Sequence, residues 1–402
     1  MKNFKDSGIE WLGEIPEHWE VVKINKIVTF VNGYAFENFD FNPTFEIPVI
    51  RIGDIQKEKI LYDNCLKTKE KEKLKQFLIS NNDILIALSG ATTGKIAFCD
   101  TDNKAYINQR VAIVRSKLKL VKYYFLTRGF SLLIELACNG SAQPNISTKE
   151  IGEFKIPLPP LKEQEQITNF LDEKCEKIKN FIEKKEKLIS LLKEQKQALI
   201  NETITKGLDK NVNFKESGIE WLGEIPQHWE IRKLKYLATI YNGKDQSYIT
   251  SDDGIFPIYG SGGIIGKTHQ FLYDKQSVLL GRKGTIDKPL FVEIPFWTID
   301  TMFYTKISCS TYPKYFYYLC LTIDFKTYIS GSAIPSMTQS DLIEIIFPFA
   351  PLKEQEQIAN FLDKKCEKID LLIEKTEKQI KLIKEYKTTL INQAVCGRIK
   401  KS

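Results

Sequence analysis

Two stretches of the chain carry apolar residues at alternating spacings of four and three. The first runs Leu171, Cys175, Ile178, Ile182, Lys185, Ile189, Leu192, Lys196, Leu199 and Thr203, with no proline between Leu161 and Gly207. The second runs Leu362, Cys366, Ile369, Ile373, Thr376, Ile380, Ile383, Lys387, Leu390 and Ala394. Polar residues enter both at the same steps, Lys185/Thr376 and Lys196/Lys387. A narrow apolar seam with charges on the remaining faces predicts coiled-coil helices. About 45 residues at 1.5 Å each would span roughly 65–70 Å. Two such seams in one chain most simply pair with each other; the alternative is two amphipathic helices, each packed on its own globular neighbour. A second apolar stripe, Ile167, Phe170, Phe181 and Leu188 with the corresponding Ile358, Phe361, Leu372 and Gln379, is expected to offer a surface to another protein's helices.

Outside the seams the pattern shortens to strand-like runs joined by glycine-rich loops. Ile47–Ile55, Asp83–Gly90, Lys95–Asp100 and Ile107–Arg115 read as strands in the first globular region, and Ser277–Gly284 and Pro289–Ile294 in the second. The two regions are copies. FKDSGIEWLGEIPEHWEVVK at Phe4–Lys23 returns at Phe214–Lys233 with 16 of 20 positions identical, and PLKEQEQITNFLDEKCEKI at Pro160–Ile178 returns at Pro351–Ile369 with 17 of 19. They converge again at Gly140–Ser147 and Gly331–Thr338, but between these landmarks they barely resemble each other. The offset between copies falls from 210 to 191 residues, so the second region is shorter by 19. The fold class expected is α/β, with two tandem α+β heads and two long helices forming an intramolecular antiparallel coiled coil about a pseudo-two-fold. The expected boundaries are head 1–157, helix 158–208, head 209–348 and helix 349–402. The order head–helix–head–helix would place the heads at opposite ends of the pair, with the N-terminus near the end of the second helix.

Composition narrows the class without naming it. A hydrophobic fraction of 43% and a charged fraction of 27% are those of ordinary globular domains. No apolar run reaches the length of a membrane span, and the N-terminus lacks a secretory pattern. Eight cysteines without a CxxC pair suit reduced, buried thiols and a cytoplasmic setting. Of the net charge of +7, residues 161–206 and 352–402 hold +5, which leaves the heads near neutral. Bulk charge alone therefore does not argue for nucleic acid.

Catalytic motifs fail one by one. GSGGIIGKT at Gly260–Thr268 has Ser261 where a phosphate-binding loop needs glycine, and SGATTGK has Ser89 there and Ile96 where Ser or Thr is required. Both read as tight loops between strands. Of three histidines, His18 and His228 belong to the repeated WLGEIPxHW element and are expected to be structural, with Trp11, Trp19 and their copies packing the heads against a helix end. What remains is a set of side chains able to recognise base edges. In the first head these are Arg51, Lys95, Asn108, Gln109 and Arg110; in the second they are Lys267, His269, Arg282, Lys283 and Gln339.

GIEWLGEIPEHW and GIEWLGEIPQHW opening the heads, PLPPLKEQEQI and FAPLKEQEQI opening the helices, and AVCGRI at Ala394–Ile399 carry a resemblance over essentially the full length. The chain resembles the specificity subunit of type I restriction-modification systems. The second copy departs with Phe349–Ala350 before Pro351, and the first helix ends TITKGLD instead of AVCGRI. The resemblance implies a non-catalytic subunit whose heads are target recognition domains, each reading half of a bipartite, asymmetric site in double-stranded DNA. The helices would set the gap and dock two modification (methyltransferase) subunits. Restriction subunits would add ATP-driven translocation and cleavage. No cofactor is implied in this chain: S-adenosylmethionine, ATP and magnesium would be bound by the partners. Half-site centres about one helical turn apart, roughly 34–36 Å, are expected. Two readings compete: the specificity module of another restriction-modification class, or a coiled-coil scaffold with two protein-binding heads and no DNA role.

Overall fold

The computed structural model describes residues 3–56, 58–99, 103–138, 144–328 and 335–398. Parts of the Gly140–Ser147 and Gly331–Thr338 landmarks, and Ile399, lie outside them. The chain forms two compact units, one of residues 1–184 and 379–402, the other of residues 185–378. Each unit thus holds one head with the beginning of one long helix and the end of the other.

The long helices run Leu161–Lys206 and Leu352–Val395. All twenty seam positions are buried or half-buried, while most residues between them are exposed. In the first unit Leu171 and Ile178 share one core cluster with Leu390, Ile391, Ala394 and Val395, and Cys175, Ile182 and Ile383 pack against it. In the second unit Ile200 and Ile204 share a cluster with Ile358, Ala359, Leu362 and Cys366. The beginning of one helix therefore packs on the end of the other, an antiparallel pairing, and the same cluster continues into the head. Among the described residues no helix is long and apolar enough to cross a membrane.

The two heads share one topology. In the first, an antiparallel sheet runs in the order Ile96–Phe98, Ile84–Ala87, Val111–Arg115, Thr29–Asn32. In the second, Leu290–Val292, Ser277–Gly281, Met302–Ile307 and Ala238–Asn242 repeat that order. A three-stranded sheet accompanies each: Ile47–Ile50 between Leu66–Thr68 (antiparallel) and Tyr106–Ile107 (parallel), and Phe256–Gly260 between Gly263–Thr268 and Trp297–Thr298. Four of the six expected strands are present, trimmed at their ends; the run Ile47–Ile55 is interrupted by a 3-10 turn at Ile52–Asp54, and Ile107–Arg115 divides between Tyr106–Ile107 and Val111–Arg115, which belong to different sheets. The length difference arises largely here. Residues 51–65 connect the strands in the first head where residues 261–262 suffice in the second.

The repeated sequence elements find each other in space. His18 Nε2 lies 2.6 Å from Glu163 Oε1, and the Trp19 indole donates to Glu163 Oε2 at 3.3 Å. In the second unit His228 lies 2.7 Å from Glu354 Oε1 and Trp229 donates to Oε2 at 3.0 Å. The glutamate of PLKEQ thus clamps the HW pair of the head. The following glutamine closes back on the chain: Gln164 donates to Pro159 O at 2.7 Å and Gln355 to Ala350 O at 2.8 Å. The same tryptophans meet the end of the other long helix through glycine. Gly397 and Gly207, both at φ +71°, end the long helices with a left-handed residue. A Cβ on Gly397 would meet Pro16 Cγ at 2.5 Å, and one on Gly207 would meet Trp229 Cζ2 at 3.0 Å. Arg398 then donates to Leu12 O at 2.9 Å, so the N-terminal segment does lie against the end of the second helix.

Trp19 and Trp229 are buried against the helix ends as expected. Their neighbours are not: Trp11 packs on Gly129 within its own head, and Trp221 is 56% exposed. Most cysteines are buried and Cys309 is exposed; burial first, with Asp54 adding to it, pushes the Cys65 thiol up to about 12.

Asp172 on the first long helix accepts from Lys122 Nζ at 2.6 Å and Tyr123 OH at 2.5 Å. Burial works against its charged form, but the lysine and tyrosine together outweigh it and hold the carboxyl below the usual aspartate range. The contribution of this contact is therefore complete above the unfolded value near 3.9 and is lost as pH falls through the lowered folded value. Asp172→Asn is expected to lower the urea midpoint at pH 7, and the gap from wild type should narrow in acid. A gap that does not change with pH would refute that linkage.

Candidate nucleic-acid interface

One edge of the first head's four-stranded sheet gathers the ends of all four strands. Asn32 ends one strand, Arg110 precedes Val111, Leu88–Ser89 follow Ala87, and Lys95 precedes Ile96. Leu88 N donates to Arg110 O at 2.9 Å, Ala87 N to Lys95 O at 2.9 Å, and Gly90 N to Pro144 O at 2.8 Å. These bonds draw the Pro144–Ser147 segment over the edge. The result is a cleft of about 720 Å³ lined by Asn32, Ser89, Gln109, Arg110, Asn145 and Thr148, among others. Among the described residues no carboxylate, histidine or cysteine lines it. The Ser89 hydroxyl is buried and meets no hydrogen-bond partner among the described residues. An open cleft of amides, a guanidinium and hydroxyls can exchange hydrogen bonds with the edges of planar polar groups.

Asn108 stands beside this cleft, its N–H donating to Ile50 O at 2.9 Å across the parallel strand pair, which brings Arg51 to the same edge. The Arg51 guanidinium is already engaged, by Asp54 at 3.4 Å and Asn64 O at 3.2 Å, and so braces the residue 51–65 connection. All five candidates of the first head thus share an edge, but Arg51 serves first as a strut.

The second head repeats the backbone and changes the side chains. Arg282 N donates to Thr301 O at 2.9 Å, Gly284 N to Pro335 O at 2.9 Å, and Met337 N to Arg282 O at 3.0 Å. Arg282 and Lys283 thus take the places of Leu88 and Ser89. The Arg282 guanidinium donates to Asp300 O at 3.0 Å, and Lys283 is exposed.

Three sequence candidates fall elsewhere. Gly260–Thr268 is mainly a strand and not a loop: Gly263–Thr268 pairs with Phe256–Gly260, and the turn is confined to Ser261–Gly262. Lys267 pairs with Pro257 at the end remote from that turn. His269 follows it and lies 3.2 Å from Asp253, a carboxylate held below its usual range by Ser251 and then His269. Gln339 donates its side-chain amide to Ile240 O and so ties the short helix Gln339–Ile343 to the sheet. The first two miss the edge because glycine spacing was read as a loop where a β-hairpin forms. Asn32, Ser89 and Asn145 were missed. A signal for Asn32 exists in the sequence, since Asn-Gly recurs as Asn242–Gly243 in the second copy.

The helix stripe also needs correction. Ile358 is only 1% exposed, inside the second head's core, and Phe361 packs against that core. Ile167 and Phe170 pack against the first head's core. The heads cover the early turns of both helices on a second face. Phe181 and Leu372, further along, are exposed at 37% and 51%.

Comparison with known proteins decides the family. Residues 16–194 and 226–382 match the type I restriction modification DNA specificity domain. The chain belongs to that family. It is similar to the type I restriction enzyme MjaVIII specificity subunit of Methanocaldococcus jannaschii, with 25% identity over 96% of this chain and 94% of the relative. It is also similar to that organism's putative MjaX specificity subunit, with 27% identity over 99% and 97%. A solved chain from work on complex assembly and conformational transition of the type I R-M system aligns with a TM-score of 0.72 at 16% identity, over 96% of this chain and 99% of its own, and supports the fold. The two matched segments begin within the two copies of WLGEIPxHW and end on the two long helices. This type I specificity subunit is thus a tandem of one domain with two different edges.

Proposed function

We propose that each head of this specificity subunit reads one half of a bipartite, asymmetric DNA site, and that the paired helices set the gap between the halves. On this reading residues 1–157 and 209–348 are the target recognition domains. The observation that carries it is the equivalent sheet edge: one backbone scaffold presents Ser89, Gln109, Arg110 and Asn145 in the first head and Arg282 and Lys283 in the second. Amide, guanidinium and ammonium groups are the side chains that discriminate bases in the major groove. A kept fold with an altered edge is what two different half-sites require. The modification subunits dock on the helices beyond the heads, where Phe181 and Leu372 are exposed, and they and the restriction subunits supply the methyl-transfer, translocation and cleavage chemistry.

The test is Arg282→Ala with Lys283→Ala in the assembled methyltransferase. Relaxed sequence preference in one half-site alone is expected, at about 1–3 kcal/mol for each lost bidentate contact. An equal loss of affinity over all sequences would assign the pair to phosphates and remove it from the reading surface.

A further inference from the structure

The hairpin of Phe256–Gly260 and Gly263–Thr268 carries an apolar pair that the second head's core does not use. Ile264 and Ile265 are 63% and 52% exposed, although adjacent residues of a regular strand usually divide between a buried and an open face. The register explains this. Tyr259 pairs with Ile264 and Ile258 with Gly266, which leaves Ile265 unpaired in a β-bulge. Bulges re-aim side chains and terminate regular pairing. The tip is stripped of bulk: nothing lies within 4 Å of a Cβ built on Gly262 or Gly263.

The position of this tip gives the pair a partner. Ser261 N donates to Thr301 Oγ1 at 3.4 Å, and a Cβ on Gly284 would sit 3.1 Å from Ser261 Oγ. The hairpin end therefore abuts the Arg282–Gly284 loop, continuous with the proposed reading edge. It also stands where the first head carries its longer residue 51–65 connection, the place where the two heads differ most. Two β-branched apolar side chains on a narrow ribbon, beside an arginine and a lysine, form a surface that a polyanion can approach. The major groove admits a two-stranded ribbon and presents one apolar group, the thymine 5-methyl.

We propose that this hairpin enters the major groove of the half-site read by the second head and that Ile264 and Ile265 recognise thymine methyls there. The inference rests on the DNA-reading function above. The experiment uses the chain assembled with its modification subunits. The recognised motif is determined for wild type, for Ile264→Ser with Ile265→Ser, and for Ile264→Val with Ile265→Val. Binding is then measured on duplexes with thymine replaced by deoxyuridine in each half-site in turn. The serine variant should relax the motif at thymine positions of one half-site, the one that Arg282 and Lys283 affect, and leave the other half and the gap unchanged. The valine variant should keep the wild-type motif. Deoxyuridine in that half-site should weaken wild type about fourfold for each methyl removed, with little effect on the serine variant. An unchanged motif in the serine variant, an equal deoxyuridine penalty in both proteins, or a half-site without thymine would overturn the proposal while leaving the two-reader function standing. Absence of any sequence-specific binding by wild type would overturn both.

Discussion

Insertion of one heptad into both long helices, after Ile189 and after Ile380, is expected to change the gap of the recognised site and preserve both half-site sequences. Both insertions fall on half-buried or buried seam positions and leave the seven-residue repeat in register on either side. They lie away from the Glu163 and Glu354 clamps and from the helix-ending glycines, so each head keeps its seat. A heptad adds about 10.5 Å, the rise of about three base pairs. Three base pairs also turn the second half-site by roughly 100° about the DNA axis, so affinity should fall even at the new best gap. The preferred gap is read by methylation motif analysis of the assembled enzyme. An unchanged gap would show that something other than helix length sets it. Loss of one half-site sequence would show that the heads do not read independently.

The second large effect concerns two tryptophans eight residues apart in one repeated element. Trp229→Ala should destabilise the second unit by about 3–5 kcal/mol, the usual loss for a large buried aromatic. Trp229 is fully buried, donates to Glu354, and forms the surface against which Gly207 ends the first long helix. Trp221→Ala, eight residues earlier, should stay within about 0.5 kcal/mol, because that side chain is 56% exposed. Hydrogen exchange across residues 185–378 in denaturant separates the two outcomes, since a global midpoint mixes both units. Equal costs would mean that Trp221 has a burial partner that the structure does not show.

The long helices were legible because a seam is a local signal with a fixed period, and every one of its twenty positions is buried or half-buried. The polar steps were legible as positions but not as contacts. Lys196 reaches Asp370 across the seam at 2.6 Å, whereas its copy Lys387 reaches Glu58 in the first head at 3.2 Å. Asp370 corresponds to Lys179 in the first copy, which cannot repeat the ion pair, so equivalent lysines take different partners. The apolar stripe failed at Ile358 and Phe361 for a related reason. Periodicity shows that a face is apolar without telling which body covers it, and near the heads the coverer is a sheet distant in sequence. The Glu163 and Glu354 clamps could have been found, since the glutamate recurs in both copies of one element and the His-Trp pair in both copies of the other. The candidate edge was legible in part, through Gln109, Arg110, Arg282 and Lys283. Lys267 and His269 strayed from it because glycines that allow a tight hairpin look in sequence like those of an open loop.

The central claim is that two different readers work as one subunit, and methylome sequencing tests it most directly. A host lacking other methylation would express this chain together with its proposed modification (methyltransferase) partner. The account predicts N6-methyladenine in a split, asymmetric motif with a fixed gap. A continuous or palindromic motif from an assembled complex would contradict it.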